Sequence, residues 1–127
     1  DIQAVPYSTL KDAAPGESSA VMRERVVRAR DVQQQRFAAY NATAKKPVHC
    51  NAQMTPKLVR EHCQLDAQGD KLLSYAMEKM GLSARAYDRI LKVSRTIADL
   101  DNSPTIQMAH ISEAISYRSL DRDDWAG

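Results

Sequence analysis

One segment, residues 82–100, constrains the fold of this chain most, because it carries both a helix start signal and a helical repeat. Ser83 is a good N-cap, since its hydroxyl can accept a hydrogen bond from an orphan amide of the first turn. Leu82 and Tyr87 then occupy the two positions of a hydrophobic staple. Apolar residues recur at helical spacing at Ala86, Ile90, Val93, Ile97 and Leu100. The pattern predicts a helix over about residues 84–101 with this face buried.

Similar patterns predict four more helices, over residues 18–40, 56–63, 70–80 and 107–117, with a loop over 41–54. Thr55 followed by Pro56 is typical of a helix start, and Gly81 is typical of the residue just past a helix end. On the first helix one stripe is formed by Met22, Val26, Ala29, Gln33, Phe37 and Tyr40. On the later helices the positions expected to face inward are Leu72, Leu73, Ala76, Met77 and Met80, then Met108, Ile111, Ala114 and Ile115. Short connections join these segments, so we expect one all-α bundle of about five helices.

The two ends of the chain lie outside this helical pattern. Residues 2–5 are typical of the end of a strand, and Pro6, Pro15 and Gly16 punctuate the residues that follow. Residues 8–13 are expected to form one short turn of helix. The last residues are charged and are expected to fray. We therefore divide the chain into a leading segment 1–16 with a short extended part, a helical domain 17–120 and a frayed tail 121–127.

Composition and simple motifs exclude several classes of protein. The formal net charge of +2 is too small to indicate nucleic-acid binding by itself. No apolar run approaches the ~20 residues that span a bilayer, and the first residues lack signal-peptide features, so we expect no membrane partner. Two cysteines do not make a disulfide framework, which favours a reduced, cytoplasmic setting. The four glycines match no P-loop, so this chain cannot hold a triphosphate through a P-loop of its own.

Two His–Cys pairs, His49–Cys50 and His62–Cys63, are the first candidates for a metal site. Zinc ligands normally stand two to four residues apart so that both can reach one ion. Adjacent residues point in different directions, so the two pairs would have to converge from separate elements. We therefore expect ordinary thiols and histidines and no bound metal. A Cys–His nucleophile pair is equally disfavoured, because no third group is placed to orient it.

Arginines are concentrated on the first predicted helix, at Arg23, Arg25, Arg28, Arg30 and Arg36. Such residues could contact the phosphates of DNA or RNA. Glu24 and Asp31 interrupt the series, so a solvated face of mixed charge is favoured. Contact with nucleic acid remains the alternative.

Arg85 stands in the first turn of the helix predicted over residues 84–101, near the positive end of the helix dipole. A cation is mildly unfavourable there, and a nearby anion would offset the cost. Asp88 or a ligand phosphate would supply that anion, and local physics alone favours Asp88. Asp88 also stands four residues before Lys92, which is the spacing of an i,i+4 ion pair. If the anion beside Arg85 is a ligand phosphate, we expect Asp88 to pair with Lys92.

Several stretches together match one known family. The specific ones are residues 82–100 (LSARAYDRILKVSRTIADL) and 117–122 (YRSLDR), supported by 17–19 (ESS), 23–26 (RERV), 29–30 (AR), 35–37 (QRF), 51–54 (NAQM) and 110–114 (HISEA). Through them the chain resembles, over almost its whole length, the C-terminal domain of the magnesium-chelatase-like ComM (YifB) family of bacterial AAA+ ATPases.

The resemblance implies an α-helical lid that follows an AAA+ ATPase core in a hexameric motor. Family members are associated with natural transformation and with DNA branch migration. ATP and Mg²⁺ would be bound mainly by the core, which lies upstream of this chain, so the chain alone is expected to bind no cofactor and not to be an enzyme. Its partners would be its own core and neighbouring subunits, with DNA as a further candidate.

The resemblance also implies a role for Arg85. In related lids an arginine early in this helix is the sensor-2 residue, which touches the γ-phosphate of ATP, and the Ser83-Ala84-Arg85 stretch matches that pattern. Arg89, one turn later on the same face, would support it. The missing anion beside Arg85 would then be the nucleotide. The alternative function is a non-catalytic helical module that binds DNA or a partner protein through its arginine-rich first helix.

Overall fold

The computed structural model describes residues 15–120, with side chains from residue 19 to residue 117. Within that range lie five α-helices and one 3₁₀ turn: α1 (Pro15–Thr43), the 3₁₀ turn (Asn51–Gln53), α2 (Pro56–His62), α3 (Ala67–Met80), α4 (Ala84–Leu100) and α5 (Met108–Leu120). The predicted all-α bundle of about five helices is confirmed. The extended part of segment 1–16, the helical turn at 8–13 and the tail 121–127 lie outside the described residues.

Local signals set most of the helix boundaries. Ser83 Oγ accepts a hydrogen bond from the Ala86 amide at 3.2 Å, as expected of an N-cap. Asp66 caps α3 in the same way, since its Oδ1 accepts from the Gly69 amide at 2.7 Å, and α3 therefore begins before its predicted start. At the other end of α3, Gly81 has a φ of +62°, the left-handed conformation that glycine adopts without strain.

The helix α4 lies at the centre of the bundle. It packs against α1, the 3₁₀ turn, α2 and α5, while α3 packs against α5. The apolar side chains with no exposed surface among the described residues are Phe37, Leu73, Ile90, Ala98, Ile111 and Ala114. A Cβ atom added at Gly69 would stand 2.9 Å from Ile111 Cδ1, so the glycine allows α3 to approach α5 closely.

Two residues of the stripe on α1 and one residue predicted to be buried on α5 are exposed: Met22 by 48%, Val26 by 43% and Met108 by 42%. Met22 and Val26 lie on the first half of α1, where every residue from 19 to 28 is exposed within the described structure. The helical repeat continues through this half, but no described element covers it. None of the helices in residues 15–120 is both long and apolar enough to cross a bilayer.

The buried face of α4 is only partly the apolar stripe that its periodicity predicts. Ala86 and Ile90 are buried as expected, whereas Val93, Ile97 and Leu100 are half-buried. The buried positions further along the helix include Ser94, Arg95, Ala98 and Asp99. Towards its C-terminal end, α4 therefore turns a partly polar side into the bundle.

Candidate functional site

Arg85 lies in the first turn of α4, and its side chain is exposed. The carboxylate nearest in sequence is already engaged, because Asp88 Oδ2 lies 3.1 Å from Lys92 Nζ in the predicted i,i+4 pair. Among the described residues no carboxylate forms an ion pair with Arg85. Arg89 is also exposed, one turn later on the same side of the helix. This end of α4 therefore presents two arginines to solvent beside a helix start, whose dipole favours anions.

The five arginines of the first helix separate into two groups. Arg36 points inward: its side chain is 11% exposed and donates two hydrogen bonds to Asp99. The exposed members are Arg23, Arg25, Arg28 and Arg30. The fold thus uses Arg36 internally and leaves four arginines exposed on the surface of α1.

Asp99 is the centre of a buried polar network, and its side chain is only 1% exposed. Arg36 Nη1 and Nη2 donate to Oδ2 and Oδ1 at 2.8 and 2.7 Å, in the forked geometry that arginine forms with carboxylates. Asn51 Nδ2 donates to Oδ2 at 2.9 Å, and Arg95 Nη2 lies 3.2 Å from Oδ1. One carboxylate therefore joins α1, the 3₁₀ turn and α4.

Asn51 extends this network across the 3₁₀ turn, and it is 1% exposed. Its Oδ1 accepts from Arg36 Nη1 at 2.9 Å, and its Nδ2 also donates to Thr96 Oγ1 at 3.1 Å. Its backbone amide donates to Gln33 Oε1 at 3.0 Å. The buried amide side chain thus has partners for both its oxygen and its nitrogen, as buried polar groups require.

Arg95 connects the network to the turn between α4 and α5. Its guanidinium donates to the carbonyl oxygens of Ser103 at 2.9 Å and Pro104 at 3.3 Å. Burial lowers the pKa of Arg95, and the negative charge of Asp99 opposes that shift. Within the described residues, Arg95 Nε has no hydrogen-bond partner. The turn is therefore tied to the same carboxylate that holds α1.

The two His–Cys pairs do not form a shared site. Cys50 is exposed, and Cys63 is buried. Burial raises the pKa of the Cys63 thiol to about 11, so it stays protonated and unreactive at neutral pH. The His62 ring packs edge-on against Phe37, with ring centroids 5.7 Å apart, and burial lowers the pKa of His62. In the part of the chain from residue 15 to residue 120, no three metal-binding side chains come together.

His110 was not among the candidate residues, yet it joins two helices. It is 4% exposed, and its Nδ1 accepts from the Gln107 amide at 2.9 Å. Accepting there places the ring proton on Nε2, which lies 2.9 Å from Asp101 Oδ2. The imidazole therefore caps the start of α5 and ties it to the end of α4. In the sequence His110 stands three residues after Gln107, which is the N3 position of a capping box, and this spacing is the signal that could predict its capping role.

A groove of about 620 Å³ separates the first half of α1 from α4 and α5. Its apolar lining includes Met22, Val26, Val93, Ile97, Leu100 and Tyr117. Arg25 and Lys92 also line it, together with the acidic Asp101 and Glu113. The apolar positions of α1 that do not reach the core therefore form one wall of this groove.

Comparison with known families agrees with this architecture. Residues 16–118 match the family described as magnesium chelatase, subunit ChlI C-terminal. The chain belongs to this family. The match to the magnesium chelatase C-terminal family includes α4 with Arg85 and every member of the network around Asp99.

Relatives of this magnesium chelatase C-terminal domain are similar over most of the chain. The YifB protein of Escherichia coli K12 is 40% identical over 112 residues, which are 88% of this chain and 20% of that protein. Competence protein ComM of Haemophilus influenzae is 37% identical over 123 residues, 96% of this chain and 22% of that protein. The chain thus spans about a fifth of the length of these relatives. The resemblance to ComM and YifB proteins is confirmed.

Proposed function

We propose that this domain is the helical lid of an AAA+ ATPase and that Arg85 contacts the γ-phosphate of ATP as a sensor-2 arginine. The observation that carries the proposal is the exposed guanidinium of Arg85 at a capped helix start, beside an Asp88 that already pairs with Lys92. Membership of the magnesium chelatase C-terminal family supports the lid assignment.

The chemistry of phosphoryl transfer explains why such an arginine is useful. Negative charge spreads over the transferred phosphoryl oxygens in the transition state, and a positioned guanidinium stabilises it. Arg85 starts a helix, so it reaches the phosphate from the same direction as the positive end of the α4 dipole. Arg89, one turn further along, lies on the same side and supports the same charge.

The rest of the motor lies beyond this chain. We infer a core that binds ATP and Mg²⁺, with the leading segment 1–16 connecting it to the helical domain and 121–127 as a tail. The whole protein would be a hexameric, cytoplasmic ATPase, whereas the chain alone would hydrolyse no ATP. The Haemophilus relative is named a competence protein, which supports a role in natural transformation. We propose DNA remodelling by branch migration as that role.

The proposal is tested by ATPase turnover of the full-length protein carrying Arg85→Ala, with and without forked DNA. Loss of one transition-state contact should lower kcat about 10-fold to 10³-fold while the far-UV circular dichroism stays unchanged. Arg60→Ala is the matched control, because it removes another exposed arginine, from α2. Turnover that is equal in Arg85→Ala and in the control would overturn the role of Arg85.

A second candidate function is a DNA-binding module, favoured by the four exposed arginines of α1. If all four contacted phosphates of a duplex, log K would fall with log salt concentration with a slope of about −3.6. The assay is fluorescence anisotropy of labelled duplex DNA titrated with the 127-residue chain at increasing salt. A variant with glutamine at Arg23, Arg25, Arg28 and Arg30 should lose this dependence. Absence of binding at low salt would contradict the module.

A further inference from the structure

We propose that Asp99 is a positioning residue: it fixes the angle of α4 in the bundle and thereby places Arg85 against the phosphate. This inference rests on the proposed function, since it concerns how the fold aims the ATP-sensing arginine. Asp99 itself is too deeply buried to touch a ligand, because its side chain is 1% exposed.

The contacts of Asp99 are suited to fixing the orientation of α4 relative to α1 and the 3₁₀ turn. Its two oxygens accept hydrogen bonds from Arg36 on α1 and from Asn51 on the 3₁₀ turn, and the Arg95 guanidinium on α4 lies 3.2 Å from Oδ1. The forked pair with Arg36 is directional, because both of its hydrogen bonds weaken when the guanidinium plane turns away from the carboxylate. Two other segments, α1 and the 3₁₀ turn, are thus bonded to one point on α4.

The half of α4 that carries Arg85 is held differently. Its buried residues are Ala86, Ile90 and Leu91. Apolar burial is non-directional, so it favours contact but tolerates small rotations of a helix. The angular restraint on α4 therefore comes mainly from its other half, where Arg95 and Asp99 bond.

Because Arg85 lies far from Asp99 along α4, a small rotation of the helix at Asp99 moves Arg85 by a larger distance. Fourteen residues separate Arg85 from Asp99, which is about 21 Å of helix. A tilt of about 5° at Asp99 would move Arg85 by about 2 Å. A misplacement of about 1 Å can lower the rate of a reaction about 10²-fold. A small loosening of the network around Asp99 would thus displace Arg85 far enough to lower the rate of ATP hydrolysis.

A contribution to stability does not by itself explain why Asp99, Arg36 and Arg95 place charges inside the bundle. Replacing a buried ion pair with well-packed apolar side chains is often neutral or stabilising. Removing the carboxylate charge would leave the guanidinium groups of Arg36 and Arg95 close together, where burial and, to a smaller extent, the charge of Arg36 already lower the pKa of Arg95. Loss of Asp99 therefore disturbs the contacts of both α1 and the 3₁₀ turn with α4.

The experiment is a double-mutant cycle in the full-length protein, with kcat and KM for ATP measured for Asp99→Asn, Arg85→Ala and the double variant. If Asp99 acts through Arg85, Asp99→Asn lowers kcat at least 10-fold in the parent protein and less than 2-fold in the Arg85→Ala background. An equal loss of kcat in both backgrounds overturns the positioning role and leaves the role of Arg85 intact. Unchanged kcat in Arg85→Ala overturns the proposed function and, with it, this inference.

Two further variants distinguish a loss of positioning from a loss of folding. Glu78→Gln is the matched control, because it changes an exposed carboxylate of α3 to an amide and should leave kcat unchanged. Arg36→Lys keeps the charge but loses the fork, so it should disturb the angle even if Asp99→Asn does not fold. We expect it to lower kcat in the parent protein and to add less than 2-fold to Arg85→Ala. Equal losses in both backgrounds would again overturn the positioning role.

Discussion

Arg36→Met should destabilise this chain by about 2–3 kcal/mol, far more than the loss of a surface arginine does. Removing one partner of a buried ion pair costs about 3–5 kcal/mol, because the other charge is left uncompensated. Asp99 keeps Arg95 Nη2 at 3.2 Å and Asn51 Nδ2 at 2.9 Å, so part of the compensation survives. Methionine retains much of the apolar stem, so the loss reports on the guanidinium rather than on a cavity.

Urea denaturation followed by circular dichroism measures this loss, and thermal unfolding should show a fall in Tm of about 8–12 °C. Arg28→Met, at an exposed position of the same helix, is the control and should change stability by less than about 0.5 kcal/mol. The double variant with Asp99→Leu should not recover the loss, because the buried Arg95 then has no carboxylate beside it. A loss below about 1 kcal/mol for Arg36→Met would refute the reasoning that Asp99 depends on it.

Two further predictions concern packing and pH. Gly69→Ala should lower the free energy of unfolding by about 1–3 kcal/mol, because its Cβ would stand 2.9 Å from Ile111 Cδ1. Unchanged stability in urea denaturation would show that Ile111 can move aside. Stability should also fall as the pH rises from about 9 to about 11, because the Cys63 thiol, with an ordinary pKa of 9.0, ionises in the unfolded chain first and in the folded chain at about 11. Cys63→Ala should show a shallower fall, and identical slopes would assign the effect to other groups.

The helices could be predicted because their signals are local. Ser83 and Gly81 act on amides and carbonyls within one turn, so the ends of α3 and α4 follow from a few neighbouring residues. The first half of α1 shows the limit of such reasoning. Its stripe through Met22 and Val26 correctly indicates a helix, but periodicity does not show whether another element covers that face.

The polar network could not be predicted, because its partners are far apart in the sequence. Arg36 stands 15 residues from Asn51 and 63 from Asp99. Nothing in the spacing of the five arginines of α1 marks Arg36 as the buried one, apart from its place beside Phe37. Arg95 and Asp99 carried a weak signal, since they stand four residues apart at the edge of an apolar stripe.

Two separate features of the sequence indicate a role for Arg85. A cation at a helix start is locally unfavourable, which made the residue conspicuous, and the family resemblance supplied a ligand for it. The structure shows in addition that the neighbouring Asp88 forms an ion pair with Lys92. Its contact with nucleotide stays a prediction.

The long separation between Arg36 and Asp99 also has a consequence for how the chain folds. Arg95 reaches Ser103 across 8 residues, and His110 reaches Asp101 across 9, so α4 and α5 close a short loop. Short loops close at low entropic cost and form early, whereas a contact spanning 63 residues forms late. During synthesis α1 leaves the ribosome well before α4 exists, so its inward-facing arginine must stay hydrated until the pocket that will neutralise it has been made.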